Sequence, residues 1–344
     1  YIVCNADEGE PGTNKDRVIL AGDPNSLFEG MAIAGLACGA DKGYIYLRAE
    51  YPYLFAPLRQ AIENAAAAGY LGGNILGSGK SFGIEVVTGA GAYVCGEETA
   101  LLESIEGKRG EPRFKPPYPA NAGLFGCPTV INNVETLANV PQILVNGAAW
   151  FKGFGTEKCP GTKLFTLCGN VNRPGVYEFG MGVNLKDVFE QAGGGCDKPL
   201  LGVQTGGASG AILRADQMDI ALDIESCQAA GAVLGSGALM FIDEGQDIID
   251  VVENLMEFFA EESCGKCTPC REGNLRLLEL VTKFKEGEGR PEDIRAMADL
   301  AGTMSCAALC GLGQASPTPV TTALENFRPA FDAAMEGGNS QWQN

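Results

Sequence analysis

Three cysteines spaced by two residues form the clearest chemical motif in this 344-residue sequence. They are Cys264, Cys267 and Cys270, within the segment ESCGKCTPC. Three thiolates at this spacing fit three corners of a [4Fe–4S] cube, which is held by four cysteine thiolates. The fourth ligand has to come from another part of the chain, and Cys306 and Cys310 are the two candidates that follow.

A structural Cys4 zinc site is the alternative interpretation of these cysteines. Such sites usually combine two C-x2-C pairs, one from each half of the site. Here the first half has three cysteines and the later half has none at that spacing, so the pattern favours an iron–sulfur cluster. A zinc-stabilised scaffold stays open at this point, as does chance packing of cysteines as small buried hydrophobes.

The composition excludes several kinds of chemistry. The chain has no histidine, which rules out Ser-His-Asp and Cys-His catalysis and any His-ligated zinc. Lys and Arg number 25 against 43 Asp and Glu, a net charge of −18, so we expect no nucleic-acid partner. Ten of the thirteen cysteines are scattered singly, which is typical of a reduced, cytoplasmic protein.

No segment of the sequence suggests direct membrane insertion. The longest uncharged apolar stretch in the second half, residues 229–242, is too short and too rich in glycine to span a bilayer. No signal peptide is recognisable. The chain opens directly on the strand-like segment YIVC, so we expect further sequence upstream of Tyr1.

Two turns that follow strand-like segments are candidate ligand sites. Residues 5–13, NADEGEPGT, place three carboxylates where α/β sheets bind ligands, and carboxylates can accept hydrogen bonds from ribose hydroxyls. Residues 89–99, GAGAYVCGEET, let a flat ligand or a phosphate approach the backbone. Residues 132–136, NNVET, begin a helix and could meet a phosphate. A solvated acidic turn and simple helix capping are the alternatives.

The elements that position these motifs fall into three parts. In the first part, strands at residues 44–47 and 83–87 alternate with helices at 27–38 and 57–68, which predicts an α/β layer structure. Residues 112–128 contain five prolines and little periodicity, which predicts an ordered loop or a boundary rather than a regular element.

The second part has the order of a small β-grasp domain. A strand at residues 163–168, a turn at 172–175 and a returning strand at 176–178 predict a hairpin. A short helix at 185–191 ends in three glycines, and later strands fit residues 202–204 and 239–242.

The third part is helical. We predict helices at residues 248–259 behind an Asp247 cap, at 275–281, at 294–301 behind Pro291, and at 320–331 with a kink at Pro329. Four helices with short connections pack as an up-down bundle. That topology brings the connection with the C-x2-C-x2-C motif to the same end as the connection with Cys306 and Cys310.

Five segments in order along essentially the whole chain carry a family resemblance: YIVCNADEGEPGT, GAYVCGEETA, SIEGKRG, INNVET and ESCGKCTPCREG. Together they resemble the NADH-binding flavoprotein subunit of respiratory complex I, which also occurs in NAD(P)-linked hydrogenases and formate dehydrogenases. The later segment CGLGQA, at residues 310–315, is more similar to the hydrogenase and formate dehydrogenase branch.

The resemblance implies three domains. An α/β FMN-binding domain covers residues 1–150, and its N-terminal part, with the family's main glycine-rich loop, lies upstream of this chain. A ubiquitin-like β-grasp domain covers residues 151–244, and a four-helix bundle with the [4Fe–4S] cluster covers residues 245–344.

The resemblance also assigns roles to individual residues. It implies FMN contacts from eight of them: Asn5, Asp7, Glu8, Tyr93, Gly96, Asn132, Asn133 and Thr136. It implies NAD(H) contacts from five others: Glu10, Glu97, Glu98, Lys115 and Tyr118. It makes Cys310, rather than Cys306, the cluster ligand that joins Cys264, Cys267 and Cys270.

The implied function is NAD(P)H:acceptor electron transfer, or diaphorase activity, within a multisubunit hydrogenase or formate dehydrogenase. Hydride passes from the nicotinamide to FMN, and electrons pass through the cluster to other iron–sulfur subunits, including a [2Fe–2S] thioredoxin-like one. This chemistry belongs to the cofactors and needs no imidazole base, in agreement with the lack of histidine. A complex I subunit and a flavin-free structural electron-transfer subunit are the alternatives.

Overall fold

The computed structural model describes residues 1–335, which divide into two compact units. Unit 1 comprises Tyr1–Gly9 and Asn14–Phe154. Unit 2 comprises Glu10–Thr13 and the chain from Gly155 onward. Within the described residues, no helix has both the length and the apolar character needed to cross a membrane.

A sheet of four parallel strands forms the centre of unit 1, in the order β3-β2-β1-β4. The strands are β1 (Ile2–Ala6), β2 (Lys42–Leu47), β3 (Gly83–Thr88) and β4 (Val130–Asn133). β1 and β2 are buried along almost their whole length, as expected for central parallel strands covered on both faces. The predicted strands of the first part are therefore confirmed.

Seven helices connect and cover these strands. They are α1 (Lys15–Gly22), α2 (Pro24–Cys38), α3 (Pro52–Ala67), α4 (Glu98–Ile105), α5 (Pro119–Ala122), α6 (Val134–Asn146) and α7 (Ala148–Phe151). α2 packs closely on α6, because a Cβ added at Gly30 would lie 2.0 Å from the carbonyl oxygen of Leu137. The core between helices and sheet contains large fully buried side chains, among them Met31, Ile45 and Phe82.

Two sequence predictions in unit 1 need correction. The helix expected at residues 57–68 begins earlier, at Pro52, where a proline in the first turn costs no hydrogen bond. It continues through Pro57 because the flanking Leu54 and Leu58 are both buried in the core. The loop expected at residues 112–128 contains α5 and a 3₁₀ turn, Leu124–Gly126.

Unit 2 contains a five-stranded mixed sheet in the order β6-β5-β9-β7-β8. The strands are β5 (Thr162–Gly169), β6 (Gly175–Gly180), β7 (Leu200–Thr205), β8 (Ile212–Arg214) and β9 (Ala238–Asp243). β5 runs parallel to β9, and the other pairs are antiparallel. The predicted hairpin and its two later strands are confirmed.

Short helical elements complete this part of unit 2. α8 (Leu185–Asp187) continues into a π-helical turn, Val188–Ala192, before the three glycines. α9 (Ile224–Ala229) precedes β9. The sequence analysis missed α9 and the three-residue strand β8, because both are too short to show a hydrophobic period.

Within residues 245–335, six helices follow the sheet of unit 2. They are α10 (Ile248–Glu262), α11 (Thr268–Lys285), α12 (Pro291–Ala307), α13 (Gly311–Ala315), α14 (Thr318–Asn326) and α15 (Arg328–Ala333). α10 contacts α11, α11 contacts α12, α12 contacts α14, and α14 returns to α10. Fully buried side chains such as Val252, Phe259, Leu277 and Met297 fill the space between them.

The first three predicted helices are confirmed. The fourth was predicted as one kinked helix, and this prediction is wrong, because the structure has two separate helices there. Asp247 caps α10 by accepting a hydrogen bond from Ile249 N, as expected. The helix expected at residues 320–331 is broken at Phe327 into α14 and α15. Pro329 lies in the first turn of α15, where its missing N–H needs no partner.

Candidate functional site

Polar side chains lie where the strand order of unit 1 reverses direction. β2 and β3 extend the sheet on one side of β1, and β4 lies on the other side. Ligands of open α/β sheets bind at the carboxyl ends of the strands at such a switch point. Asn5 pairs with Asn133 across the two strands there, and Asn132 pairs with Cys4. Three of the predicted FMN residues are thus brought to one edge of the sheet.

The end of β1 is joined to the glycine-rich turn. Asn5 Nδ2 donates to the carbonyl oxygen of Gly96 at 2.9 Å, and Asn5 Oδ1 accepts from Asp7 N at 3.0 Å. A Cβ added at Gly9 would lie 3.3 Å from Tyr93 Cα, so the backbones of the two turns nearly touch. Three further members of the predicted FMN set lie at these contacts, since Asp7 and Gly96 contact Asn5 and Tyr93 contacts Gly9.

Asn133 is held by a buried polar network. Its Oδ1 accepts hydrogen bonds from Lys15 Nζ at 2.8 Å and from Glu135 N at 3.0 Å, the second of which caps α6. Its Nδ2 donates to Asp16 Oδ2 at 2.7 Å and to the carbonyl oxygen of Asn5 at 3.2 Å. The side chain of Asn133 therefore supports the switch point from within the protein, in addition to its predicted contact with FMN.

Lys15 supplies a positive charge to this network. Its side chain is only 6% exposed and pairs with Asp16 at 2.6 Å and Glu135 at 3.1 Å. Burial lowers the pKa of Lys15, but the two carboxylates outweigh that effect and raise its pKa above the ordinary value. Lys15 and Asp16 were missed in the sequence analysis, although they follow the acidic turn directly.

Glu8 is a buried carboxylate with three hydrogen-bond donors. Asp16 N donates to its Oε1 at 2.7 Å, and Arg17 N (3.3 Å) and the Tyr51 hydroxyl (2.9 Å) donate to its Oε2. Burial and the nearby Asp16 carboxylate raise the pKa of Glu8. The guanidinium of Arg48 also donates to the Glu8 carbonyl oxygen. Tyr51 and Arg48 had no recognisable signal in the sequence, because they come from the connection after β2.

Three of the predicted NAD(H) residues form one charged cluster in unit 1. Lys115 Nζ lies 3.0 Å from Glu97 Oε1 and 2.5 Å from Glu98 Oε1. Glu97 also caps α4 by accepting hydrogen bonds from Thr99 N and Ala100 N, each at 2.9 Å. Burial raises the pKa of Glu97, but these donors and Lys115 outweigh it and hold the pKa below its ordinary value.

Tyr118 and Thr136 lie on other elements of unit 1, and Glu10 belongs to unit 2. Tyr118 is 56% exposed at the start of α5, and Thr136 is exposed in the first turn of α6. Glu10 belongs to unit 2, where its Oε1 accepts from Ser209 Oγ at 3.0 Å and Ser209 N at 3.3 Å. Gly207 lies directly against Glu10, since an added Cβ would be 2.2 Å from its carboxyl carbon.

The cysteine motif connects α10 to α11. Cys267 is the N-cap residue of α11, and Cys270 lies in its first turn, where the helix dipole favours thiolates. The connection between α12 and α13 meets this motif, because Leu309 N donates to Cys267 Sγ at 3.5 Å. The expectation that the two connections meet at one end is confirmed. Cys310 lies in that second connection, whereas Cys306 is exposed within α12.

The Cys270 thiol lies within electrostatic range of the other three predicted ligand thiols. Burial raises the pKa of Cys270 to about 11, a hydrogen bond with Ser263 opposes the rise, and Cys267, Cys310 and Cys264 add to it. Among residues 1–335, no three Cys, Asp or Glu side chains converge closely enough to hold one metal ion. A [4Fe–4S] cluster takes one cysteine thiolate per iron.

Hydrogen-bond donors surround the sulfur of Cys270. Ser263 Oγ lies 3.2 Å from it and Asn274 Nδ2 lies 3.4 Å from it. Gly313 packs against the same cysteine, because an added Cβ would lie 2.8 Å from Cys270 Cβ and 3.2 Å from its Sγ. Hydrogen bonds to the ligand sulfurs are among the features that tune an iron–sulfur cluster. Ser263 and Gly313 stand within the motifs ESCGKCTPC and CGLGQA, but the sequence analysis did not single out Asn274.

Comparison with protein families matches three regions of the chain. Residues 1–142 match the Nuo51 FMN-binding domain, residues 164–211 match the SLBB domain, and residues 250–334 match the NADH-ubiquinone oxidoreductase-F iron-sulfur binding region. The parallel sheet with its switch point and the cysteine motif accordingly define a flavin- and iron–sulfur-dependent oxidoreductase.

Relatives cover nearly the whole chain. It is 46% identical to the NADP-reducing hydrogenase subunit HndC of Solidesulfovibrio fructosivorans over 98% of its length and 69% of the relative. It is also 46% identical to an NADH-quinone oxidoreductase subunit of Rhizobium meliloti, over 98% of its length and 80% of the relative. The chain belongs to the family of NADH-binding flavoprotein subunits to which these proteins belong.

A solved structure has the same fold. The NAD⁺-reducing [NiFe]-hydrogenase in its H2-reduced state superposes with a TM-score of 0.90 at 42% sequence identity. The match covers 98% of this chain and 57% of the hydrogenase chain, so this chain spans little more than half of that relative. The family and domain matches give this chain the cofactors FMN, NAD(H) and a [4Fe–4S] cluster. They make it an electron-transferring oxidoreductase subunit.

Proposed function

We propose that the protein is the diaphorase subunit of a multisubunit hydrogenase or formate dehydrogenase, exchanging electrons with NAD(H). The observation that carries this proposal is the pairing of a ligand-binding switch point with a separate cysteine motif in one chain. When bound, FMN exchanges a hydride with the nicotinamide, and the [4Fe–4S] cluster carries single electrons onward. The protein's own residues bind and orient these groups.

In this proposal FMN is held at the edge of the unit 1 sheet. Asn5, Asn132 and Asn133 offer side-chain amides there. Asp7, Glu8, Tyr93, Gly96 and Thr136 complete the proposed set. Lys15, Asp16 and Tyr51 hold Asn133 and Glu8 in fixed positions, which limits the reorganisation needed on binding.

NAD(H) is proposed to contact the Glu97, Glu98 and Lys115 cluster together with Glu10 and Tyr118. Carboxylates accept hydrogen bonds from ribose hydroxyls, and the ammonium of Lys115 can pair with a phosphate oxygen. Because Lys115 pairs with both glutamates, nucleotide binding would exchange those contacts for contacts with the ligand.

Cys264, Cys267, Cys270 and Cys310 are the proposed cluster ligands. The proposal includes three domains: an α/β domain at residues 1–150, a β-grasp domain at 151–244 and a four-helix bundle at 245–344. The SLBB match and the mixed sheet support the second domain, and the ring of contacts from α10 to α14 supports the third.

Other iron–sulfur subunits, including a thioredoxin-like [2Fe–2S] subunit, are the proposed partners. The similarity to a hydrogenase subunit and to the structure of an NAD⁺-reducing hydrogenase supports a hydrogenase assembly. All thirteen cysteines lie within the described residues, and none of them forms a disulfide bond, which supports the proposed reducing, cytoplasmic location. A complex I subunit is the second candidate, favoured by the match over 80% of an NADH-quinone oxidoreductase subunit.

Anaerobic titration of the purified protein with NADH tests the proposal. We expect bleaching of flavin absorbance and a low-temperature EPR signal from the reduced cluster. A colourless protein, or one whose metal is zinc, would contradict it. Purification of the native complex, followed by assays with hydrogen, formate and quinone, distinguishes the hydrogenase, formate dehydrogenase and complex I assignments.

A further inference from the structure

Asn274 is a fully buried amide beside the cysteine motif. It follows Cys270 by one turn of α11 and has 0% exposure. Its Nδ2 lies 3.4 Å from Cys270 Sγ and 3.3 Å from the carbonyl oxygen of Phe259. Since both neighbours are acceptors, the NH2 end of the amide has to face them. The orientation of the side chain is therefore set by its contacts.

The other end of this amide has no partner. Asn274 Oδ1 is buried and accepts no hydrogen bond. A buried acceptor left unpaired destabilises a fold, and an apolar side chain of similar size would avoid that cost. One N–H caps the Phe259 carbonyl at the last turn of α10. The second N–H is directed at Cys270 Sγ. This contact explains why residue 274 is an asparagine although its side chain is fully buried.

We propose that Asn274 is a positioning residue that raises the reduction potential of the [4Fe–4S] cluster through its hydrogen bond to Cys270. The inference rests on the proposed assignment of Cys270 as a ligand. Reduction adds one electron to the cluster, and an N–H donor to a ligand sulfur stabilises the more negative state. The proton stays on the nitrogen throughout, so no bond forms or breaks at Asn274.

Ser263, the C-cap residue of α10, acts on the same sulfur. Its Oγ is 3.2 Å from Cys270 Sγ and has to donate when the sulfur is a thiolate. Two donors from different segments thus converge on one ligand. Each donor is expected to raise the reduction potential of the cluster, so the Ser263→Ala variant should also have a lower potential.

A redox titration of the purified holoprotein, monitored by EPR, tests the proposal. For Asn274→Leu we expect the equilibrium constant for reduction to fall about tenfold, which corresponds to a midpoint about 59 mV lower for a one-electron couple. The matched control is Thr282→Val on the same helix, which removes a 2.8 Å hydrogen bond to Glu253 far along α11 from the cysteines. It should lose stability and keep the wild-type midpoint.

Iron content separates failure of this proposal from failure of the proposed function. A wild-type protein without iron or an EPR signal would contradict the cluster itself. A variant Asn274→Leu with full iron and an unchanged midpoint would overturn the role of Asn274 alone. Should that variant fail to assemble a cluster, pulsed EPR of the reduced wild-type protein with ¹⁵N-labelled asparagine side chains decides. A ¹⁵N coupling supports the proposal, and its absence overturns it.

Discussion

The side-chain amide of Asn5 donates a 2.9 Å hydrogen bond to the carbonyl oxygen of Gly96, 91 residues later in the chain. This bond joins the end of β1 to the turn that precedes α4. Two segments that the sequence analysis treated as separate candidate sites are therefore one structural feature. A ligand at the switch point would meet both of them.

We expect Asn5→Ala to weaken FMN binding. Loss of the bond leaves the Gly96 carbonyl without this donor and should lower the free energy of unfolding by about 1 kcal/mol. FMN content per chain after desalting and the thermal unfolding midpoint measure the two effects. The matched control is Asn139→Ala, which removes a partly buried 2.8 Å hydrogen bond to Glu135 O within α6. Equal FMN retention in both variants would refute the role of Asn5.

Cys310 and Cys306 give a direct comparison at the cluster. Cys310 contributes to the raised pKa of Cys270, and Cys306 is exposed on α12. Cys310→Ala should lose most of its iron and its low-temperature EPR signal, because a thiolate ligand is removed. Cys306→Ala should keep both. Iron analysis and EPR of the two variants check the assignment. Loss of iron in Cys306→Ala, with iron retained in Cys310→Ala, would contradict it.

Gly313 should tolerate no side chain. An added Cβ would lie 2.8 Å from both Cys270 Cβ and Ala308 Cβ, so Cys270 has to shift. We expect Gly313→Ala to lower cluster content and to cost about 1–3 kcal/mol of stability through overpacking. Gly302→Ala is the control, since nothing lies within 4 Å of its added Cβ. Iron per chain and chemical denaturation measure both effects, and normal iron content in Gly313→Ala contradicts the prediction.

Much of the fold could be predicted because local patterns determine it. Asp247 and Pro291 mark helix starts through their own backbone chemistry, and the structure confirms both. The sequence predicted a kink at Pro329, and the structure has a break at Phe327 instead. A proline inside a helix removes a hydrogen bond and can either kink or break it, and the apolar spacing, which continues across Phe327, does not distinguish the two.

The candidate site was predictable only in its motif residues. Cys264, Cys267 and Cys270 are recognisable by their spacing. Asn274 carries a weaker signal, one turn after Cys270 on the same helix face. Tyr51 contacts Glu8 from 43 residues away, and no short-range pattern reports such a contact. Long-range partners of this kind become visible only in the folded chain.

Glu97 should make stability depend on pH in the acid range. Its pKa is held below the ordinary value of 4.5, although burial alone would raise it, because Thr99, Ala100 and Lys115 donate to the carboxylate. Its contribution is therefore fully present above the unfolded pKa and is lost as the pH falls through the folded pKa. At pH 7, Glu97→Gln should cost about 1 kcal/mol, the size of a lost helix cap.

Thermal unfolding of both proteins from pH 7 to pH 3.5 measures this effect. The difference between wild type and Glu97→Gln should shrink below about pH 4.5, since the wild-type carboxylate becomes protonated there. A difference that stays constant over the whole range would show that the charge of Glu97 contributes nothing to stability.

Glu98 should decide the choice between NADH and NADPH. It does not cap α4, because Glu97 does so, and its side chain is 38% exposed and paired with Lys115. Helix capping therefore does not explain why residue 98 is a glutamate. If the carboxylate lies near the adenosine ribose, as the family resemblance implies, it repels a 2′-phosphate of about −1.5 to −2 charge. Such repulsion discriminates against NADPH mainly in binding.

We therefore expect Glu98→Gln to raise kcat/KM for NADPH about tenfold, equivalent to about 1.4 kcal/mol, while activity with NADH stays close to wild type. Glu85→Gln is the matched control, because Glu85 also pairs with a lysine, Lys42 at 2.8 Å, but lies on β3. Steady-state kinetics with both nucleotides and an artificial acceptor measure the ratio. An NADPH/NADH ratio that is unchanged in Glu98→Gln, or equally changed in Glu85→Gln, would show that Glu98 does not select the nucleotide.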